Sequence, residues 1–172
     1  SFSEGKYTIE PIEFVVYNGT ITLGAKLDVN TSLWSIWDNF RLYYCGEGED
    51  IDATIAESGL STFSSKYAVT IPEGVKAYKA TSATDAYVHM EEITGQIPAQ
   101  TGVVLVGTPS QTYTFGYYGE NLDAITDNKP VAATNAIQLD PTSGDNTNYV
   151  LVGGEFHPFT GKATLAAGKA YL

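Results

Sequence analysis

The sequence predicts an all-β fold, a short antiparallel β-meander joined to a β-sandwich or barrel-like module, and three observations carry that prediction. Residues that favour strands (Val, Ile, Thr, Tyr, Phe and Trp) make up 64 of the 172 positions. Seventeen glycines and seven prolines punctuate them at short intervals, as repeated chain reversal requires. Several stretches alternate apolar and polar residues with the period of two that belongs to a strand with one wet face.

The elements follow in order. Residues 1–46 read as a meander of three strands, 7–17, 20–27 and 33–45, separated by the turn signals Asn18-Gly19 and Asn30-Thr31-Ser32. In the second, Ile21, Leu23, Ala25 and Leu27 alternate with Thr20, Thr22, Gly24 and Lys26. In the third, Leu33, Ile36, Trp37, Phe40 and Tyr44 also fit a helical stripe, but the alternation of Phe40, Leu42 and Tyr44 and the residue types favour a strand. Residues 47–52 form an acidic, glycine-containing stretch that reads as a linker and marks the domain boundary.

The second module, 53–172, shows short β segments at 62–71, 75–80, 86–93, 102–106, 111–118, 136–139, 149–152 and 162–172. Residues 131–135 are alanine-rich and suggest a helical turn, and His157-Pro158 suggests another reversal. Within this module Ile71-Pro72-Glu73-Gly74, Ile97-Pro98-Ala99-Gln100 and Leu165-Ala166-Ala167-Gly168 each place an apolar residue before a tight turn and a new strand. Proline presets φ and glycine permits φ > 0, so repeated hairpin chemistry accounts for this echo as readily as a duplication does.

Charge and composition exclude several classes. The formal charge is −11 and Arg41 is the single arginine, so the clustered cations that hold phosphates are absent and nucleic acid is excluded as a partner. Cys45 is the one cysteine, which rules out an internal disulfide and a Cys-based metal site within the chain. Apolar runs such as Val103 to Val106 are too short to predict a membrane span.

The phrase Trp34-Ser35-Ile36-Trp37-Asp38-Asn39-Phe40-Arg41-Leu42-Tyr43-Tyr44, preceded by Asn18-Gly19-Thr20-Ile21-Thr22-Leu23-Gly24, resembles the closing strands of jelly-roll, galactose-binding-like modules in secreted proteins of gut Bacteroidetes. Residues 53–172 are similar to a C-terminal β-module of the same surface and secreted proteins. There, Ile-Pro turns, Thr-Gly-Val-Val-Leu, Tyr-Val-Leu and a terminal Gly-Lys-Ala-Tyr-Leu recur. The resemblance implies a secreted or cell-surface, non-catalytic role in adhesion or carbohydrate binding, with a glycan or a host or cell-surface protein as partner. It also implies that the meander is a partial jelly roll. About three of the roughly eight strands of that fold are represented, so the chain is expected to be a piece of a longer protein, and the meander to pack its apolar face on the second module or to pair through its sheet edges with another chain.

The chemistry-bearing residues are few. His89 lies on the predicted strand with Tyr87 and Glu91 on its face, a pairing capable of general acid/base work, yet no nucleophile motif accompanies it and a solvated face carries the same residues. Glu91 and Glu92 are adjacent on a strand and point to opposite faces, so they are not the carboxylate pair of a glycoside hydrolase. Asp140, Asp145 and Asn146 concentrate hard oxygen ligands in a loop suited to calcium, and the same residue types are ordinary turn formers. Tyr113, Phe115 and Tyr117 alternate onto one face, with Tyr118, Glu120 and Asn121 beside them. Exposed, such rings stack on the apolar faces of sugars; three aromatics in alternation are also what a buried sheet face requires. The ligand-binding candidates are therefore Tyr113, Phe115 and Tyr117, with Trp34 and Trp37. The leading expectation is a binding module and not an enzyme. A structural protein-interaction domain without a small ligand is the alternative, and a glycoside hydrolase stands third.

Overall fold

The computed structural model describes residues 11–16, 19–24, 40–84 and 87–172. The chain divides into two compact units, Ser1–Glu49 and Asp50–Leu172. Every regular element among the described residues is a β-strand and every pairing is antiparallel, so the chain is all-β.

In the first unit the described residues form no strand, which corrects the predicted meander over 11–16, 20–24 and 40–45. Ile12, Phe14, Leu23, Phe40, Leu42, Tyr43 and Tyr44 are exposed there. An alternating pattern acquires strand geometry where it has an apolar face to bury, and the apolar side chains of these segments are exposed. The rest of the predicted meander, with Trp34 and Trp37, lies outside the described residues.

Among the described residues of the second unit sixteen strands run in chain order. The first eight are β1 (Ile51–Thr54), β2 (Leu60–Phe63), β3 (Val69–Thr70), β4 (Lys76–Ala83), β5 (Val88–Ile93), β6 (Gln96–Ile97), β7 (Val103–Val106) and β8 (Thr112–Tyr117). They build two four-stranded sheets, ordered β1-β8-β3-β6 and β2-β7-β4-β5. Consecutive strands mostly belong to different sheets, so the chain passes from one sheet to the other at nearly every turn. One core lies where the sheets meet. Ala53, Val69, Ile97, Tyr113 and Phe115 enter it from the first sheet, and Phe63, Ala77, Val103 and Leu105 from the second. These strands carry the alternation that the sequence shows, and burial of their apolar face is the main stabilising term, about 1.5–3 kcal/mol for each large side chain.

The remaining strands are β9 (Val131–Ala133), β10 (Ile137–Leu139), β11 (Thr142–Ser143), β12 (Asn146–Thr147), β13 (Tyr149–Val152), β14 (Glu155–Pro158), β15 (Ala163–Leu165) and β16 (Lys169–Tyr171). They form four two-stranded ladders, β9 with β16, β10 with β15, β11 with β12 and β13 with β14. The β9–β16 ladder is fastened to the end of β2 through buried hydroxyls. Ser64 Oγ donates to the Lys169 carbonyl at 2.6 Å, and Thr62 Oγ1 accepts from the Ala170 amide at 3.2 Å. Both hydroxyls lie in the interior and are satisfied, as burial of a polar group demands.

Several expectations change. Ile51 and Asp52 are the first half of β1 and not linker; Asp52 Oδ1 accepts from Thr114 Oγ1 at 2.6 Å. The segment 62–71 is two strands in different sheets, because Ser65 Oγ takes the Tyr67 amide at 3.0 Å and turns the chain out of the ladder. Residues 131–133 are strand and not helix, since pairing with β16 overrides alanine propensity. His157 and Pro158 end β14. The reversal falls earlier, at Gly153 (φ 61°) and Gly154 (φ 97°), where both central residues of the two-residue loop need positive φ.

Candidate functional site

At one end of the second unit three loops are tied to one another by hydrogen bonds. The Gln100 amide donates to the Ser65 carbonyl at 2.7 Å, and the Tyr118 amide to the Ala68 carbonyl at 2.8 Å. Asn128 Nδ2 donates to the Gly102 carbonyl at 2.8 Å, while Asn128 Oδ1 accepts from the Ala80 amide at 3.3 Å. The Lys129 amide in turn donates to the Ala80 carbonyl at 2.8 Å. Asn128 and Lys129 thereby act as one short stretch of strand partner for β4 just beyond the reach of β7. Residues 64–68, 98–102 and 117–130 are consequently held as one assembly on a rigid two-sheet core.

Two features stand on this assembly. The first is an aromatic pair. Tyr117 at the end of β8 lies opposite Val69 in the β3–β8 ladder, and its half-buried ring meets the half-buried ring of Tyr67 edge-on, with centroids 5.2 Å apart and planes at 65°. This is one of the arrangements the aromatic quadrupole favours. Lys66 Nζ lies 5.3 Å from the Tyr67 centroid, within cation–π range.

The second is an open cleft of about 390 Å³, walled by Ala99, Gln100 and Thr101 on one side and by Ala124, Ile125 and Asn128 on the other. No ionisable side chain lines it. Gln100 has φ 57°, and Asp127, next to Asn128, has φ 55°. A non-glycine residue in the left-handed region carries strain of about 1–3 kcal/mol, less for Asp, whose short polar side chain bonds locally. Gln100 occupies the third position of a Pro-initiated turn. At the matching position of the two echoing turns the chain has Gly74 (φ 89°) and Gly168 (φ 80°). The three turns share a positive φ at this position, and in this cleft alone a long amide side chain replaces the glycine that such a φ favours. The side-chain amide of Gln100 makes no hydrogen bond with the described residues.

The sequence-predicted candidates divide. Tyr117 belongs to the assembly and is joined there by Tyr67, Lys66, Gln100 and Asn128, which sequence reasoning missed. Tyr113 and Phe115 face the core, 6% and 1% exposed, which corrects their assignment to a ligand surface. The Tyr113 hydroxyl donates to the Gly74 carbonyl at 2.9 Å and accepts from the Thr108 amide at 3.2 Å. Trp34 and Trp37 lie outside the described residues.

The calcium loop is the β11–β12 hairpin, turned at Gly144 (φ 62°). The Asp140 carboxylate is paired with Lys162 Nζ at 3.1 Å, and the Asn148 side chain closes the loop on the Asp140 carbonyl at 2.9 Å and Ser143 Oγ at 3.0 Å. Asp145 and Asn146 are exposed. Among the described residues no group of three or more His, Cys, Asp or Glu is gathered to hold a metal ion. His89 is exposed on β5 opposite Ser82, and His157 lies 3.7 Å from Glu155 on an exposed strand. Glu91 and Glu92 pair with Lys79 and Lys76, at 3.2 and 3.1 Å. No helix among the described residues is long and apolar enough to cross a membrane. No protein family, no curated protein and no solved structure matches the chain.

Proposed function

We propose that the chain is a non-catalytic binding module of a secreted or cell-surface protein and that its ligand is carbohydrate. The observation that carries this reading is the Tyr67–Tyr117 pair, two half-buried rings fixed edge-to-face, one on the loop before β3 and one at the end of β8, which backbone hydrogen bonds lock together. A tyrosine ring so placed offers an apolar face to the C–H face of a sugar, at little cost in ordering. The resemblance carried by residues 34–44 and by the echoing turns points the same way. A glycan array probed with the full chain and with Tyr117→Ala and Tyr67→Ala variants tests it. Saturable binding lost in a variant that keeps the parent's thermal transition supports the reading, and a blank array for the parent chain defeats it.

A second reading, an interaction domain without a small ligand, is favoured by β5. Among the described residues this strand ends its sheet and is paired on one side only, and it exposes His89, Met90, Glu91 and Glu92. An edge of this kind is a template for another strand. Mass measured against concentration, with a Met90→Pro variant that removes a backbone donor from the edge, separates this reading from the first.

A further inference from the structure

We infer that the cleft between residues 99–102 and 124–130 is a second subsite of the same ligand surface, taking a neutral sugar residue that Gln100 bonds through its side-chain amide. The inference rests on the carbohydrate reading above and adds a subsite and a ligand class to it.

In Pro72-Glu73-Gly74 and Ala166-Ala167-Gly168 the residue at positive φ is glycine; in Pro98-Ala99-Gln100 the same geometry is imposed on glutamine. Neither an Asx-type local bond nor a packing role explains the choice. The Gln100 side chain is exposed and its amide has no partner among the described residues, while its backbone amide, which any residue supplies, makes the bond to Ser65. A strained position occupied by an unpaired hydrogen-bonding side chain in a concave site marks a contact made with something else.

The surroundings narrow what that something is. The cleft's volume of about 390 Å³ exceeds that of one pyranose ring, and its polar groups are amide and hydroxyl, from Gln100, Asn128 and Thr101. A carboxylated or phosphorylated ligand would find no cationic side chain in the lining. A primary amide offers two donors and an acceptor, which matches a pair of adjacent hydroxyls, and Ala99, Ala124, Ile125 and Pro130 offer aliphatic surface to the ring's C–H face. Asn128 is not free to serve as the principal contact, because it bridges Ala80 and Gly102 and so holds the wall in place. The Gln100 backbone amide is bonded to the Ser65 carbonyl, and Ser65 is two residues from Tyr67, so the loop that carries the amide is tied to the loop that carries the ring.

The test is titration of the full chain with galactose, glucose and mannose and with lactose, cellobiose and mannobiose, followed by backbone and side-chain amide NMR. Gln100→Gly, Gln100→Leu and Ser110→Gly are titrated alongside. Ser110 is also at positive φ (62°) but lies outside the cleft. Expected are shifts of the Gln100 side-chain amide and the Thr101 amide with at least one sugar. Gln100→Gly should raise the melting temperature while weakening that sugar about three- to tenfold, the loss of one to two neutral hydrogen bonds. Gln100→Leu, which keeps the strain and the bulk, should weaken it equally, and Ser110→Gly should leave affinity unchanged. If Tyr117→Ala abolishes binding while both Gln100 variants bind as the parent does, the subsite is wrong and the aromatic site stands. If no sugar moves the resonances of either Gln100 or Tyr117, both proposals fall. A Gln100→Gly chain that is less stable than the parent overturns the premise of a strained turn.

Discussion

The ring of Phe63 on β2 stacks on the ring of Phe115 on β8, centroids 4.3 Å apart and planes at 15°, and this pair joins the two four-stranded sheets at the middle of their shared core. Both rings are almost fully buried. Removing either leaves a cavity against its partner, and the neighbouring Leu105 and Val103 are held by their own ladders and cannot close over it. Phe115→Ala and Phe63→Ala are each expected to lower unfolding stability by about 3–5 kcal/mol in denaturant titration. The double variant should cost less than the sum, by a coupling of about 0.5–1.5 kcal/mol. A strictly additive pair would show that the rings contribute area alone.

Tyr113 makes a separable claim. Its hydroxyl satisfies the Gly74 carbonyl and the Thr108 amide, tying the turn before β4 to the turn after β7. Tyr113→Phe keeps the ring and strands both backbone groups, so a loss of about 1–3 kcal/mol is expected. Glycan binding by the folded variant should match the parent's, because this residue faces the core. A binding defect without a stability defect would return Tyr113 to the ligand surface.

Two glycines should respond in opposite directions to alanine. A Cβ on Gly102 would stand 2.8 Å from the Pro130 carbonyl oxygen and 3.0 Å from Ala170 Cβ, where one obstacle is backbone. Gly102→Ala is expected to destabilise by about 1–3 kcal/mol and to displace the wall that carries Pro130. Gly116, within β8 and opposite Thr70, has no atom within 4 Å of such a Cβ and no positive φ. There alanine reduces the entropy lost on folding, and a gain of about 0.5–1 kcal/mol is expected. Melting curves of the two variants, run side by side, check both signs.

What the sequence reveals and what it hides follow from range. β7 and β8 are legible because Val103-Val104-Leu105-Val106 and the alternating Tyr113, Phe115, Tyr117 declare their buried faces locally. β1 is hidden because Ile51-Asp52-Ala53-Thr54 looks like the tail of an acidic spacer, and only its ladder with β8, about sixty residues away in the chain, makes it a strand. The two-residue strands β3 and β6 are too short for any period to register. Of the candidate site, Tyr117 is visible as part of an aromatic row, though the row alone does not tell which end emerges from the core. Lys66 and Tyr67 sit inside what reads as continuous strand until the Ser64 and Ser65 hydroxyls are seen to break it. Gln100 is readable in principle, since it stands where the two echoing turns have glycine. Its meaning depends on the φ value that the structure supplies.

The charged pairs on the β4–β5 hairpin give a pH prediction with a defined sign. Lys76 lies on β4 and Glu92 on the edge strand β5, with Nζ and Oε2 3.1 Å apart. The hydrogen bond to Glu92, followed by the attraction of its charge, holds the Lys76 ammonium above its ordinary pKa of 10.5. A group whose pKa is raised in the folded state contributes stability that is fully present below the unfolded value and is lost as pH rises through the folded one. Glu92→Gln should therefore lower the melting temperature slightly at neutral pH, and the gap between parent and variant should close above 10.5. The pair is solvent-exposed, so the gap should be small and should also close as salt is added at neutral pH. A gap that persists in alkali and in high salt would show that Glu92 acts by shielding the edge of β5 from its surroundings and not by holding the Lys76 charge.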